Sequence, residues 1–194
     1  MHLPPPILNL LVLVIAAGWL GGCDVFTPRA PDEPIGEGGD WIQPVDASYV
    51  VQNIVSAVEQ LNETTYGRSF AADFTFRPTP AAQAAYGQFT NWTAEDERTY
   101  FSLVARSASQ GASHRLTFVD EALSDVGEGR REFTAEYRLE IYHNEVAIPR
   151  EFRGRLSWVI VYNDDRGLWE IGEWTDQEVD GAPAWSILKG AFLR

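Results

Sequence analysis

Phe133-Thr134-Ala135-Glu136-Tyr137-Arg138-Leu139-Glu140-Ile141 alternates apolar and polar side chains without a break. Successive strand residues point to opposite faces, so Phe133, Ala135, Tyr137, Leu139 and Ile141 enter a core while Thr134, Glu136, Arg138 and Glu140 meet water. That is the pattern of a half-buried antiparallel strand. The period of two extends on both sides. Leu116 and Phe118 alternate with Arg115 and Thr117 before it, and Phe152, Gly154, Leu156, Trp158, Ile160 and Tyr162 share a face after it. The turn-rich Asn163-Asp164-Asp165-Arg166-Gly167 then leads to a fourth strand, predicted from Leu168 to Asp176. Gly154 and Gly172 are positions for bends or bulges that curve such a sheet. Two registers suit the central pair, with Glu140 opposite Arg153 or opposite Arg155. Either pairs opposite charges on a wet outer face.

Toward the start of the chain the period becomes helical. Val51, Ile54, Val55, Val58 and Leu61 repeat at helical spacing behind Asp46, which can cap the first free amides, and this helix is expected to end near Asn62. A short helical turn is predicted over Thr65 to Ala71, then a strand at Phe74-Thr75-Phe76 that Pro78 and Pro80 end, then a looser segment to Trp92. Thr93 followed by Glu95, Asp96 and Glu97 reads as a capping box, and Tyr100, Phe101 and Val104 form the next apolar stripe. Beyond the last strand, Trp185, Leu188 and Phe192 predict a short final helix that packs back.

Residues 7–20 are an almost unbroken apolar run that closes in Leu20-Gly21-Gly22-Cys23. A membrane span needs about 20 such residues, whereas about 7 to 15 suit the central region of a signal peptide. Met1-His2-Leu3-Pro4-Pro5-Pro6 holds no Lys or Arg, a departure from the usual positive start. The four closing residues resemble the lipobox of bacterial lipoprotein precursors. That resemblance implies that residues 1–22 are a signal peptide and that the Cys23 thiol is the lipid attachment site. Its acyl chains would then hold the protein to membrane lipid in the cell envelope, facing the periplasm or exterior. Residues 23–44 are rich in Pro and Gly and read as a lipidated flexible tether. Residues 45–194 read as a single α+β domain, and a chain starting near Gln43 is expected to keep nearly full stability.

The 194 residues are 45% hydrophobic and include seven Trp and ten Phe, enough to fill a core. All 28 acidic and 15 basic residues follow Cys23, so the formal charge of −13 belongs to the part beyond the apolar run. Such a surface repels nucleic acid. The single cysteine excludes an internal disulfide, and Lys189 is the only lysine.

Helical segments followed by a curved antiparallel sheet resemble the cone-shaped, nuclear transport factor 2-like (cystatin-like) fold over about Val45 to Asp176. The carriers are Tyr66 with Phe70, Asp73-Phe74-Thr75-Phe76, the helix start from Trp92 to Phe101, and Trp169-Glu170-Ile171-Gly172-Glu173-Trp174-Thr175-Asp176. The resemblance implies an α+β fold with N-terminal helices packed on a curved sheet. It does not choose a function, because the fold serves isomerases, dehydratases and adaptors alike.

Enzymes of this fold class use a carboxylate or histidine base with a tyrosine or acid as hydrogen-bond donor. His114 and His143 are expected at the solvated surface, and Asp73 and Asp176 as turn or cap residues flanking strands. Tyr66, Tyr137 and Trp174 are the candidates for lining a pocket, against the simpler reading as core. No pair has metal-ligand spacing, and no catalytic motif or cofactor fingerprint is present. The expected function is therefore a noncatalytic module that binds a small ligand or an envelope protein. A cone-fold isomerase or dehydratase would need a closed pocket with a buried carboxylate near a tyrosine. A structural part of an envelope complex would need a large exposed apolar patch. The charged outer sheet face predicts a monomer, or at least no sheet-to-sheet dimer.

Overall fold

Asp46 accepts the Ser48 amide at 2.9 Å and turns the chain into α1 (Ala47–Gln60), whose Ile54, Ala57 and Val58 are wholly buried. Leu61 ends the helix in the left-handed conformation, φ 49°. Asn62 then caps α2 (Glu63–Arg68) by accepting from Thr65 N–H at 2.9 Å. The computed structural model describes residues 41–193, so Cys23, the expected signal peptide and most of the expected tether lie outside it. Among the described residues no helix is long and apolar enough to cross a membrane.

The helical turn expected up to Ala71 stops at Arg68, because Phe70 already begins β1 (Phe70–Arg77). Phe70 aligns with Ile171 in the sheet, and Phe70, Phe74 and Phe76 point into the core. Tertiary pairing overrides local propensity there. The loose segment expected before Trp92 contains α3 (Pro80–Ala85), capped by Thr79, and a 3-10 helix at Gly87–Asn91. Then α4 (Ala94–Ser107) opens with the expected box, Thr93 N–H donating to Asp96 Oδ2 at 2.8 Å.

The sheet comprises β1, β2 (Arg115–Gly127), β3 (Arg130–Glu140), β4 (Glu151–Asn163) and β5 (Leu168–Glu178), in the order β1-β5-β4-β3-β2. β1 pairs with β5 in parallel, and the remaining pairs are antiparallel. Helices cover one face, and α5 (Trp185–Phe192) closes on the same side with Trp185 and Leu188 fully buried. The result is the expected α+β cone with a short final helix.

Neither expected register of the central pair is adopted. Glu136 lies opposite Arg155, Arg138 opposite Arg153 and Glu140 opposite Glu151. The apolar face sets this alignment. Phe133 meets Trp158, and Tyr137 lies over Gly154, where a Cβ would come within 2.5 Å of both the Tyr137 hydroxyl and the Gln177 carbonyl. Charges follow the core: Glu136 pairs with Arg155, and Arg138 reaches Glu140, two residues along its own strand, at 2.7 Å and Glu151 diagonally across at 3.3 Å. Gly172 sits at a bulge, since the β4–β5 register shifts between Val159 and Ile160.

The domain's contacts begin before the expected boundary. Ile42 exchanges two hydrogen bonds with the buried Asn53 side chain, at 2.9 and 2.6 Å, and Trp169 N–H donates to Pro44 O at 2.8 Å.

Candidate functional site

The cone's interior holds two buried carboxylates, each tied to tyrosine. Glu97, three residues into the capped turn of α4, is wholly buried and receives Tyr66 Oη–H at 2.9 Å on Oε2 and Trp92 Nε1–H at 2.8 Å on Oε1. Lys189 of α5, also wholly buried, forms an ion pair with the same Oε1. Its ammonium sits 3.4 Å from the Trp174 ring centroid and 3.9 Å from that of Phe76, with Tyr100 and Trp185 near 6 Å.

The second carboxylate, Asp176 of β5, accepts Tyr137 Oη–H at 2.8 Å on Oδ1 and Ser186 N–H at 2.7 Å on Oδ2, where the Ser186 hydroxyl also binds. It thereby caps α5 from across the cone. Trp185 N–H donates to Tyr137 Oη at 2.6 Å, and Trp185 Nε1–H to Tyr100 Oη at 2.8 Å.

Burial governs the protonation of this interior. It raises the Asp176 pKa above the ordinary carboxylate value, against the lowering effects of Ser186, Tyr137 and Lys189. It lowers Lys189 to about 8, a fall that Glu97 limits. Tyr66, Tyr100 and Tyr137 are raised well above their usual range, first by desolvation; for Tyr66 Glu97 adds to this, and for Tyr137 Asp176 does.

All three residues named from sequence as pocket candidates face this interior. Tyr66 touches Glu97, Tyr137 touches Asp176, and Trp174 lies under Lys189. The interior they line is packed: Trp158, Trp174 and Trp185 have no exposed surface. The Trp158 and Trp174 indole N–H groups have no acceptor among the described residues.

Several expectations need correction. Asp176 lies within β5 rather than after it, and its capping acts through space on a helix ten residues on. Asp73 lies within β1 on the exposed face, not at a turn before it. His143 is wholly buried, with Nε2 3.0 Å from Pro149 O and its ring against Phe192, because the bridge from Ala108 to His143 brings this segment under α4. His114 is half-buried and accepts Tyr142 N–H at 3.2 Å, and burial holds its pKa below the usual value. Reasoning from sequence missed Glu97 and Lys189. Glu97 reads as one of three acids in a first turn, and the solitary lysine was the only signal for the other.

No group of three His, Cys, Asp or Glu among the described residues could hold a metal. On the opposite sheet face, β1, β5 and two hairpin turns form an open groove of about 1030 Å³. Its cations are already paired, since Glu173 binds Arg130 at 2.8 Å and Arg77 at 3.3 Å.

The architecture is that of a nuclear transport factor 2-like cone with its interior filled by its own last helix. No known family profile matches the chain, and no curated protein does. Among solved structures, a nuclear transport factor 2-like protein of unknown function in nutrient uptake from Rhodospirillum rubrum superposes with a TM-score of 0.52. It is 12% identical, over 69% of this chain and 98% of its own. A nuclear transport factor 2-like protein from Cytophaga hutchinsonii gives 0.52 at 10% identity, over 69% and 95%. A presumed scytalone dehydratase from Novosphingobium aromaticivorans gives 0.52 at 10% identity, over 71% and 89%. At these identities the likeness is one of fold.

Proposed function

We propose that this chain is a noncatalytic binding or interaction module of a bacterial envelope, anchored through an acylated Cys23. The observation that carries the noncatalytic reading is the seating of α5. It places Trp185, Ser186 and Lys189 in the cone, where Ser186 occupies Asp176, Lys189 occupies Glu97 and Trp185 donates to Tyr137 and Tyr100. A general base must reach a substrate proton, and neither Asp176 nor Glu97 has an open side from which to do so. The expected test is an incubation of the full chain with small neutral ketones and phenols. Each compound should be recovered unchanged, and turnover of any of them would favour catalysis in the cone.

The lipobox supports the anchor. Each buried methylene contributes about 0.8 kcal/mol, and one acyl chain binds marginally while two or more hold firmly. Cys23→Ser is expected to abolish incorporation of labelled palmitate and to leave an uncleaved or a soluble product. Incorporation that survives the substitution would refute the anchor.

One observation favours the isomerase or dehydratase reading. Asp176 is a buried carboxylate with a raised pKa, hydrogen-bonded to Tyr137, which is the pair that such chemistry needs. The reading requires α5 to leave the cone.

A further inference from the structure

The polar interior is built around a cation. Glu97 is oriented by Tyr66 from α2 and by Trp92 before α4, so its carboxylate is held in place without any contribution from α5. Two ring faces that meet the Lys189 ammonium, Phe76 and Trp174, belong to β1 and β5, and a third, Tyr100, to α4. Carboxylate and rings together form a receptor that is complete on the cone walls. An aromatic cage closed by a carboxylate selects positive charge over a neutral group of equal size, because ring quadrupole and anion both act on the charge.

We propose that the cone is a binding site for organic ammonium groups, and that Lys189 is an intramolecular occupant which an alkylammonium or quaternary ammonium ligand displaces. This rests on the ligand-binding form of the function proposed above and names the ligand's chemical class.

Three features support exchange. The Glu97 charge and the ring faces act on any organic cation: an alkylammonium also renews the hydrogen bond that Lys189 donates to Glu97 Oε1, and a quaternary ammonium keeps the charge and ring contacts without it. The link from β5 to α5 is an exposed turn at Asp180 and Gly181, with φ 52° and 67°, so the connection that α5 makes to the sheet along the chain is solvated and not packed in the core. Burial also holds Lys189 near 8, so its charge is held less firmly than that of a free lysine, whereas a quaternary ammonium cannot lose its charge. The titratable groups around it are Glu97 and Tyr100 from α4, Tyr66 from α2 and Asp176 from β5.

The deciding experiment titrates the full chain, purified in detergent, with tetramethylammonium chloride at constant ionic strength, and separately with tert-butanol as the neutral counterpart of similar shape. Tryptophan fluorescence and the melting temperature are the readouts, since Trp174 and Trp185 face the site. The cation should give a saturable change and a rise in melting temperature, with an apparent affinity about thirtyfold above that of the alcohol. Glu97→Gln should remove that preference. Lys189→Ala, where it folds, should regain melting temperature with butylammonium and not with butanol. An unsaturable response in the unsubstituted chain, or equal responses to cation and alcohol, overturns the inference whether or not Lys189→Ala folds. Either result leaves the envelope-module reading standing if palmitate labelling holds and the neutral ketones and phenols are not turned over.

Discussion

At Lys189 a buried ammonium is balanced by one carboxylate and two ring faces. Removing one member of such a pair leaves the other charged and unsolvated, which typically costs about 3–5 kcal/mol, whereas neutralising both is often harmless. Lys189→Met should therefore lower unfolding stability in urea by that amount, and adding Glu97→Gln should restore most of it. The pH dependence has a defined sign. Lys189 falls from 10.5 in the unfolded chain to about 8 in the folded one. Between those values the unfolded state carries the extra proton, so this contribution is fully present above 10.5 and lost as pH falls through about 8. The stability difference between the native chain and Lys189→Met should widen from pH 8 to pH 10, with both measured at each pH. A difference that stays flat would mean that Lys189 titrates alike in both states. At Gly154 the constraint is steric. Gly154→Ala would drive a Cβ to 2.5 Å from the Tyr137 hydroxyl and the Gln177 carbonyl, and overpacking of this kind costs about 1–3 kcal/mol. Tyr137 is the donor to Asp176, so the same change should loosen α5, visible as faster amide exchange at Trp185 and Ser186.

Between elements, the short segment before α1 matters more than its Pro-rich composition suggests. Asn53 is wholly buried on α1, and its side-chain amide is matched by Ile42 alone among the hydrogen bonds described for it. A chain starting at Gln43 strips that partner, and an unsatisfied buried amide costs about 1–3 kcal/mol. We expect a loss of that size in denaturant unfolding for a start at Gln43, and none for a start at Trp41. Equal stability of the two would mean that water replaces Ile42. The β3–β4 pairing shows the same hierarchy at the scale of strands: like charges stand opposite at Arg138 and Arg153 because Tyr137 must lie over Gly154. Exposed charge pairs contribute about 0–1 kcal/mol, too little to oppose a buried aromatic interface.

For the whole molecule, the outer sheet face determines how copies can meet. Glu136 with Arg155, Arg138 with Glu140 and Glu151, and Glu173 with Arg130 and Arg77 form a charged, solvated surface. Burying it against a second copy would desolvate several ions at several kcal/mol each. Light scattering of the detergent-solubilised chain should report a monomer, or a dimer in which cross-links avoid Glu136, Glu140 and Arg155. Cross-links centred on those residues would refute this. A formal charge of −13 further predicts weak association of the unacylated chain with anionic vesicles at low salt, measurable by co-sedimentation.

From sequence alone the period of two between Leu116 and Asp176, the stripes of α1 and α4, the Thr93 box and the final helix were all legible. Each is a repeat or a cap within one element, and a chain carries such signals locally. The likeness to the cone fold followed from their order. Tyr66, Tyr137 and Trp174 were legible as inward-facing aromatics, but not as partners of Glu97, Asp176 and Lys189, because those contacts span 31, 39 and 15 residues. Glu97 stands beside Glu95 and Asp96 in a polar first turn, and Lys189 is the one charge of a mostly apolar helix; only the closing of α5 over the sheet buries both together. The strand register was likewise a tertiary decision. Charges visible in the sequence allowed two alignments, and packing of Tyr137 on Gly154 selected a third, because side chains removed from water outweigh ion pairs that remain in it.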